Sequence, residues 1–490
     1  MLLYPVCAYQ LYKYTWPAGN SPYTTSIHVL DDYSLLNIFH LYRPFLLRED
    51  QNINLRCWGG ERWVGERWWY SLAHVCQRWR NLVLESASYL GLCLVCTYGT
   101  PVAEMLAHSP PLPLVLDYDG TDITTEDEEA IILALAQRDR VRRIRFYIRV
   151  LQLQKLIMAI DGEYPILECL ILVDPPEDKS TVLILPETLQ APDLRHLTIN
   201  CSIPIRFQLL TTAVGLVTLH LALYHPSTYL QPTVLLQSLS LMPQLRMLLI
   251  HFYFAIPNRD VERQLMRTSI MTHVTLPNLR LFSLQAVSAY SEAVLSRITA
   301  ARLEIFGSSY PKQLTYSVPE LLQFMGRTEN SGFDRARIWF DSEQVFMGVD
   351  PPEAETFTFC INVNCWHLDW QVSSVVQISN ALSQLFSAVE HLTLVHGVHS
   401  RSSEEHNEVE RTEWRKLLRS FSNVKTLRIE DGLVMELSRC LRLDDGEHPL
   451  ELLPQLQDLT YSESGNANDA FNPFINARQN AGRPVTLIKS

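Results

Sequence analysis

The chain of 490 residues has no apolar run approaching the roughly 18 residues that cross a bilayer, and its longest, such as Ala130–Ala136, fit core elements. It begins Met1-Leu2-Leu3-Tyr4-Pro5 with no basic leader, and Lys13 and Trp16 soon interrupt the apolar stretch, so no signal peptide is read. No glycine-rich loop ends in Lys-Ser or Lys-Thr, and no Gly-x-Ser-x-Gly elbow appears. A non-catalytic protein without cofactor is therefore expected. An excess of positive charge is also missing. The formal net charge is -12, which repels a polyanion and argues against a nucleic-acid partner. Membrane association is not expected either.

Ordered cysteine spacing is absent too. Cys7, Cys57, Cys76, Cys93, Cys96, Cys169, Cys201, Cys360, Cys365 and Cys440 are scattered, mostly in apolar sequence, as buried free thiols of a reducing compartment would be. A cytoplasmic or nuclear location follows. Cys93-x-x-Cys96 lies in an alternating stretch that would turn the two thiols to opposite sides. The group Cys360, Cys365, His367 and Asp369 matches no closed zinc spacing. No metal is expected.

What is present is globular: 47% hydrophobic and 19% charged residues. Residues 1–27 show no periodicity and read as an irregular lead-in. From Ser34, Leu35, Leu36, Ile38, Phe39 and Tyr42 recur at helical spacings behind Asp31 and Asp32, whose charge suits a helix start. Pro44 ends that helix. Residues 48–66 read as a polar, glycine-containing loop, in which Trp58 and Trp63 are plausible contact residues. A second helical stretch, from about Arg67 to Leu84, places Trp68, Leu72, Val75, Trp79, Leu82 and Val83 on one broad face. Residues 28–89 are expected to form a small helical bundle.

The texture then changes. Leu90, Leu92 and Leu94 alternate as in a strand. From residue 141 a phrase of the form apolar-x-x-apolar-x-apolar recurs: Val141/Ile144/Phe146, Leu167/Leu170/Leu172, Leu194/Leu197/Ile199, Leu216/Leu219/Leu221, Leu245/Leu248/Ile250 and Leu279/Phe282/Leu284, then Val389/Leu392/Leu394, Val424/Leu427/Ile429 and Leu456/Leu459/Tyr461. Alone the triplet is weak. A proline two residues before the first anchor strengthens it: Pro165, Pro192, Pro243, Pro277 and Pro454. The first intervals are 26, 27, 22, 29 and 34 residues, mostly near the length of a leucine-rich repeat. An α/β solenoid over residues 90–490 is expected, an irregular horseshoe because the usual Asn or Cys of the turn is missing. Around 300–385 the phrase breaks down, and an irregular insertion is expected there.

Leu35-Leu36-x-Ile38-Phe39 followed by Val75-Cys76-x-x-Trp79-Arg80 resembles the F-box. Trp68-Trp69-Tyr70 leading into His74 through Arg80, Leu90-Gly91-Leu92, Cys96 through Val102, Trp366-His367-Leu368-Asp369-Trp370, Val389 through Leu392 and Ala477 through Pro484 are similar to the F-box-like proteins of mushroom-forming fungi. The resemblance runs from about residue 29 to the end. Two features depart from it: Leu30 is followed by Asp31 where the F-box has proline, and the loop before the second helix is long. It implies an N-terminal F-box-like bundle that binds the small adaptor protein of cullin–RING ubiquitin ligases through Leu35, Leu36, Ile38, Phe39, Val75 and Trp79. The repeats would hold an unknown protein substrate. The alternative is a repeat scaffold whose bundle only caps the solenoid, with no ligase connection. Within the adaptor reading, Leu36 and Phe39 are expected at the contact, with Leu35, Ile38 and Trp79 holding the bundle, or the reverse.

Overall fold

The computed structural model describes residues 29–43, 67–120, 122–174, 181–204, 207–254, 271–311, 313, 315–327, 333–350, 358–397, 411–430, 432–442, 451–462 and 470–489. The lead-in 1–27 and the loop 48–66 with Trp58 and Trp63 lie outside these residues. The chain divides into two compact units, Met1–Cys93 and Leu94–Ser490. It is a mixed α/β protein with sixteen α-helices among the described residues and a large, mostly parallel sheet that does not close into a barrel.

The first unit contains α1 (Asp32–Tyr42), α2 (Trp68–Ala73), α3 (Gln77–Glu85) and α4 (Ala87–Leu90). Asp31 caps α1 by accepting the Ser34 amide at 2.7 Å, which holds its carboxyl below the ordinary range. The helical stretch expected over 67–84 consists of two helices. Cys76 takes an extended backbone, and its Sγ accepts the Trp79 amide at 3.4 Å, so α3 restarts there with its own cap. The expected strand alternation at Leu90 and Leu92 also fails. Leu90 ends α4, and Gly91 closes it at φ 62°, a conformation that costs a residue without Cβ nothing.

The second unit contains β1 (Leu94–Cys96), β2 (Leu114–Asp119), β3 (Val141–Tyr147), β4 (Cys169–Val173), β5 (His196–Asn200), β6 (Thr218–Leu223), β7 (Met247–Phe252), β8 (Val274–Thr275), β9 (Leu281–Gln285), β10 (Ile298–Thr299) and β11 (Ile305–Pro311). Then come β12 (Arg335–Phe340), β13 (Gln344–Asp350), β14 (Phe359–Asn364), β15 (His391–His396), β16 (Thr426–Ile429), β17 (Asp458–Tyr461) and β18 (Thr486–Lys489). Sixteen of them form one sheet, and β8 and β10 pair separately. Up to β9 the long-sheet strands lie in chain order, each parallel to the last, with helices such as Val150–Ala159 and Pro232–Leu239 in the returns.

The recurring phrase marks the strands, and its anchors stand in register. Ile144, Leu170, Leu197, Leu219, Leu248 and Phe282 pair in one row, and Phe146, Leu172, Ile199, Leu221, Ile250 and Leu284 in the next. All are buried. The proline has a geometric cause. In Tyr164-Pro165-x-Leu167 the Leu167 amide donates to the Tyr164 carbonyl, and the same three-residue return closes Ala191 to Leu194, Met242 to Leu245, Leu276 to Leu279 and Leu453 to Leu456. Proline sits second in each, where its fixed φ suits the turn. Beyond the turn, one carbonyl of each repeat accepts two amides of the next. Glu168 takes those of Arg195 and His196, Arg195 those of Val217 and Thr218, and Val217 those of Arg246 and Met247.

Where the phrase fails, the chain changes its connection and stays within the sheet. The spatial order there is β11-β14-β13-β12-β15. The chain runs from β11 to β12 three places further on, turns at Asp341–Gln344 into antiparallel β13, and returns as β14 beside β11. The helix Leu368–Ala381 then leads to β15, parallel to β12. No helix of the described residues is long and apolar enough to cross a membrane.

Replacing a fully buried anchor removes contacts on both neighbouring repeats. Leu197→Ala is expected to cost about 2–5 kcal/mol and to lower the thermal midpoint measurably. An unchanged midpoint would contradict the register.

Candidate functional site

In the first unit the core is built from one side of α1. Leu35 and Phe39, four residues apart, are buried with Val83, and the Phe39 ring meets Trp79 edge-on at 4.8 Å. Trp69 is buried as well and donates its indole N–H to the Cys93 carbonyl at 3.1 Å. Arg78 of α3 reaches Asp32 at 2.6 Å and the Leu30 carbonyl at 2.7 Å, which fixes the start of α1 against that of α3.

The six residues expected at the ligase contact therefore separate. Leu35, Phe39 and Trp79 are core. Ile38 is 43% exposed and Val75 58% exposed, while Leu36 is half-buried. Neither expected division holds whole: Phe39 is buried together with Leu35 and Trp79, and Ile38 is exposed. The reason is angular. Ile38 lies about 100° around the helix from Phe39, so both cannot face one core. Val75 leaves the helical face because it falls in the turn His74–Cys76 between α2 and α3. Alongside Ile38, Leu41 is 70% exposed and Tyr42 is also exposed, giving α1 an apolar flank at spacings of three and four. Leu41 and Tyr42 were legible as apolar but not as surface.

In the second unit the sheet face opposite the anchors varies along the array. Over β6 and β7 it is buried, including His220 and His251, whose rings lie 5.8 Å apart. His251 Nε2 is 2.9 Å from Ser283 Oγ on β9, and Tyr224 stacks on Tyr253 at 4.5 Å. Over β12 the same face is open: Arg335, Arg337 and Trp339 are exposed while Ala336, Ile338 and Phe340 are buried.

The strongly shifted groups owe their shifts first to burial. His220 is held down at about 3 and His251 at about 4, with the neighbouring His251 charge adding to the shift of His220. Glu292 is pushed up to about 7, although it accepts the Glu320 and Leu321 amides and so caps the helix Pro319–Gly326. The acidic run Glu126 to Glu129 opens the helix Thr125–Leu135, capped by Thr124. Cys360 and Cys365 are pushed up to about 11, the opposite of an activated thiol. Among the described residues, no three His, Cys, Asp or Glu side chains gather as metal ligands. A scan against protein-family models finds no match for the chain, and a search of the curated proteins finds none.

The buried histidines give a pH dependence. Below about 6.5 the unfolded chain protonates both imidazoles, while the folded chain resists until about 3–4. Stability is therefore expected to fall between about pH 6.5 and 4 by on the order of a few kcal/mol. In urea titrations across that range, a His220→Gln/His251→Gln variant should show a flatter decline. An identical slope would contradict the burial of these rings.

Proposed function

We propose that the chain is a protein-binding adaptor whose first unit is an F-box-like module and whose second unit is an irregular leucine-rich-repeat solenoid. The first unit would dock on the small adaptor protein of a cullin–RING ubiquitin ligase, and the second would hold the protein to be modified. The observation that carries the reading is the apolar flank of α1. Ile38, Leu41 and Tyr42 remain exposed although Leu35 and Phe39 of the same helix already fill the core. An apolar side left over after the core is complete is the usual mark of a partner surface. Repeat intervals near leucine-rich-repeat length, the registered anchors and the turn before each strand support the reading of the second unit.

The test is calorimetric titration of the ligase's small adaptor protein into the purified full-length chain. The wild type is expected to bind. Ile38→Asp and Leu41→Asp should abolish binding with little change in thermal midpoint, because each would bury an unpaired charge only in the complex. Leu35→Asp should instead unfold the first unit. Failure of the wild type to bind would leave the first unit as a cap on the repeats. Normal binding by both surface variants would place the contact elsewhere.

A further inference from the structure

Among the described residues, the exposed tryptophans are Trp339, Trp366 and Trp370, each about half exposed, and all three belong to one end of the sheet. Trp339 is near the C-terminal end of β12. Trp366 follows the C-terminal end of β14, and Trp370 stands in the first turn of the helix Leu368–Ala381. Only β13 separates β12 from β14, so these two strand ends are about 10 Å apart. A buried side chain fastens them together: Gln371 Nε2 donates to the Asp341 carbonyl at 2.7 Å and to the Cys365 carbonyl at 2.8 Å.

Carboxylates share this end. Asp341 and the exposed Glu343 lie in the turn between β12 and β13, and Asp369 lies in the helix turn beside Trp370. A Cβ placed on Gly397 would stand 3.1 Å from Trp339 Nε1 and 3.5 Å from Asp341 Oδ1, so the glycine leaves room for the indole and the carboxylate together. Asp369 Oδ1 is buried and accepts no hydrogen bond. The His367 ring lies 4.9 Å from Trp370 and edge-on to it. Arg337, the next residue on the open face before Trp339, and Arg335, at the far end of β12, share that face. Arg335 is in register with Asp350, whose carboxyl feels both arginines.

Half-exposed indoles are strong anchors at protein contacts. Indole faces attract guanidinium, and adjacent carboxylates add charge pairing. The formal charge of -12 favours the same sign of partner. We propose that this tryptophan-and-carboxylate end of the sheet binds an extended, arginine-rich segment of a partner protein. This names the partner class for the second unit and rests on the adaptor reading only in taking that unit to hold a protein.

The experiment is fluorescence anisotropy with the full-length chain. The probe is a short labelled peptide of alternating arginine and glycine, run against the same peptide with glutamine or glutamate in place of arginine. The arginine peptide is expected to bind, the glutamine peptide weakly and the glutamate peptide not at all. Net charge alone would attract the arginine peptide, so the Trp339→Ala/Trp366→Ala/Trp370→Ala variant, which keeps every charge, decides. It should weaken binding by roughly tenfold or more. Should that variant lose stability, Trp366→Ala alone and Glu343→Lys carry the test, each with a several-fold loss expected. Arginine-peptide affinity unchanged by these substitutions, or equal binding of the glutamate peptide, would overturn the proposal. The ligase-adaptor titration depends on α1, so either result can fail without the other.

Discussion

A parallel strand of five or six residues cannot satisfy itself. Its amides and carbonyls point sideways, and its apolar side chains need a second layer. Here both demands are met by the neighbouring repeat, and only if the strands stand in register. Leu170, Leu197, Leu219 and Leu248 occupy one height, so each seals the next from water. A slip of one residue would turn every anchor to the opposite face. The turn before each strand and the doubly accepting carbonyl after it set this phase afresh in each repeat. The returns are freer, which is why the intervals range from 22 to 34 residues without disturbing the rows.

Once the anchors carry the packing, the opposite face is free to differ from strand to strand. Over β6 and β7 it is buried around two histidines held neutral, and over β12 it opens and presents arginine and tryptophan. The first unit solves a different problem. Its core needs only one side of an eleven-residue helix, and α1 is apolar on more than that side. The excess apolar flank makes a partner for this unit the most economical reading.

The strands of the second unit were legible because their phrase has a physical cause at every position: a turn proline, a first anchor after the turn, and two inward residues on an alternating strand. The stretch 300–385 was not, because antiparallel β13 needs neither the return helix nor the turn that make the phrase recognisable. Side-chain identity also leaves direction open. Leu36, Ile38 and Phe39 are all large and apolar, and it is the packing of α1 that sets Phe39 against Trp79 and leaves Ile38 at the surface. Val75 moved to the surface because Cys76 takes an extended backbone, which no helical periodicity reveals. Trp339 was readable in principle, since it falls in the polar phase of Arg335-Ala336-Arg337-Ile338-Trp339-Phe340.

The proposed role, connecting a ubiquitin ligase to another protein, is tested by affinity purification of the tagged full-length chain with mass spectrometry of what accompanies it. The small ligase adaptor and a cullin are expected to co-purify with the wild type and to be lost with Ile38→Asp. Recovery of a stable, folded wild-type chain with no ligase subunit would contradict that role.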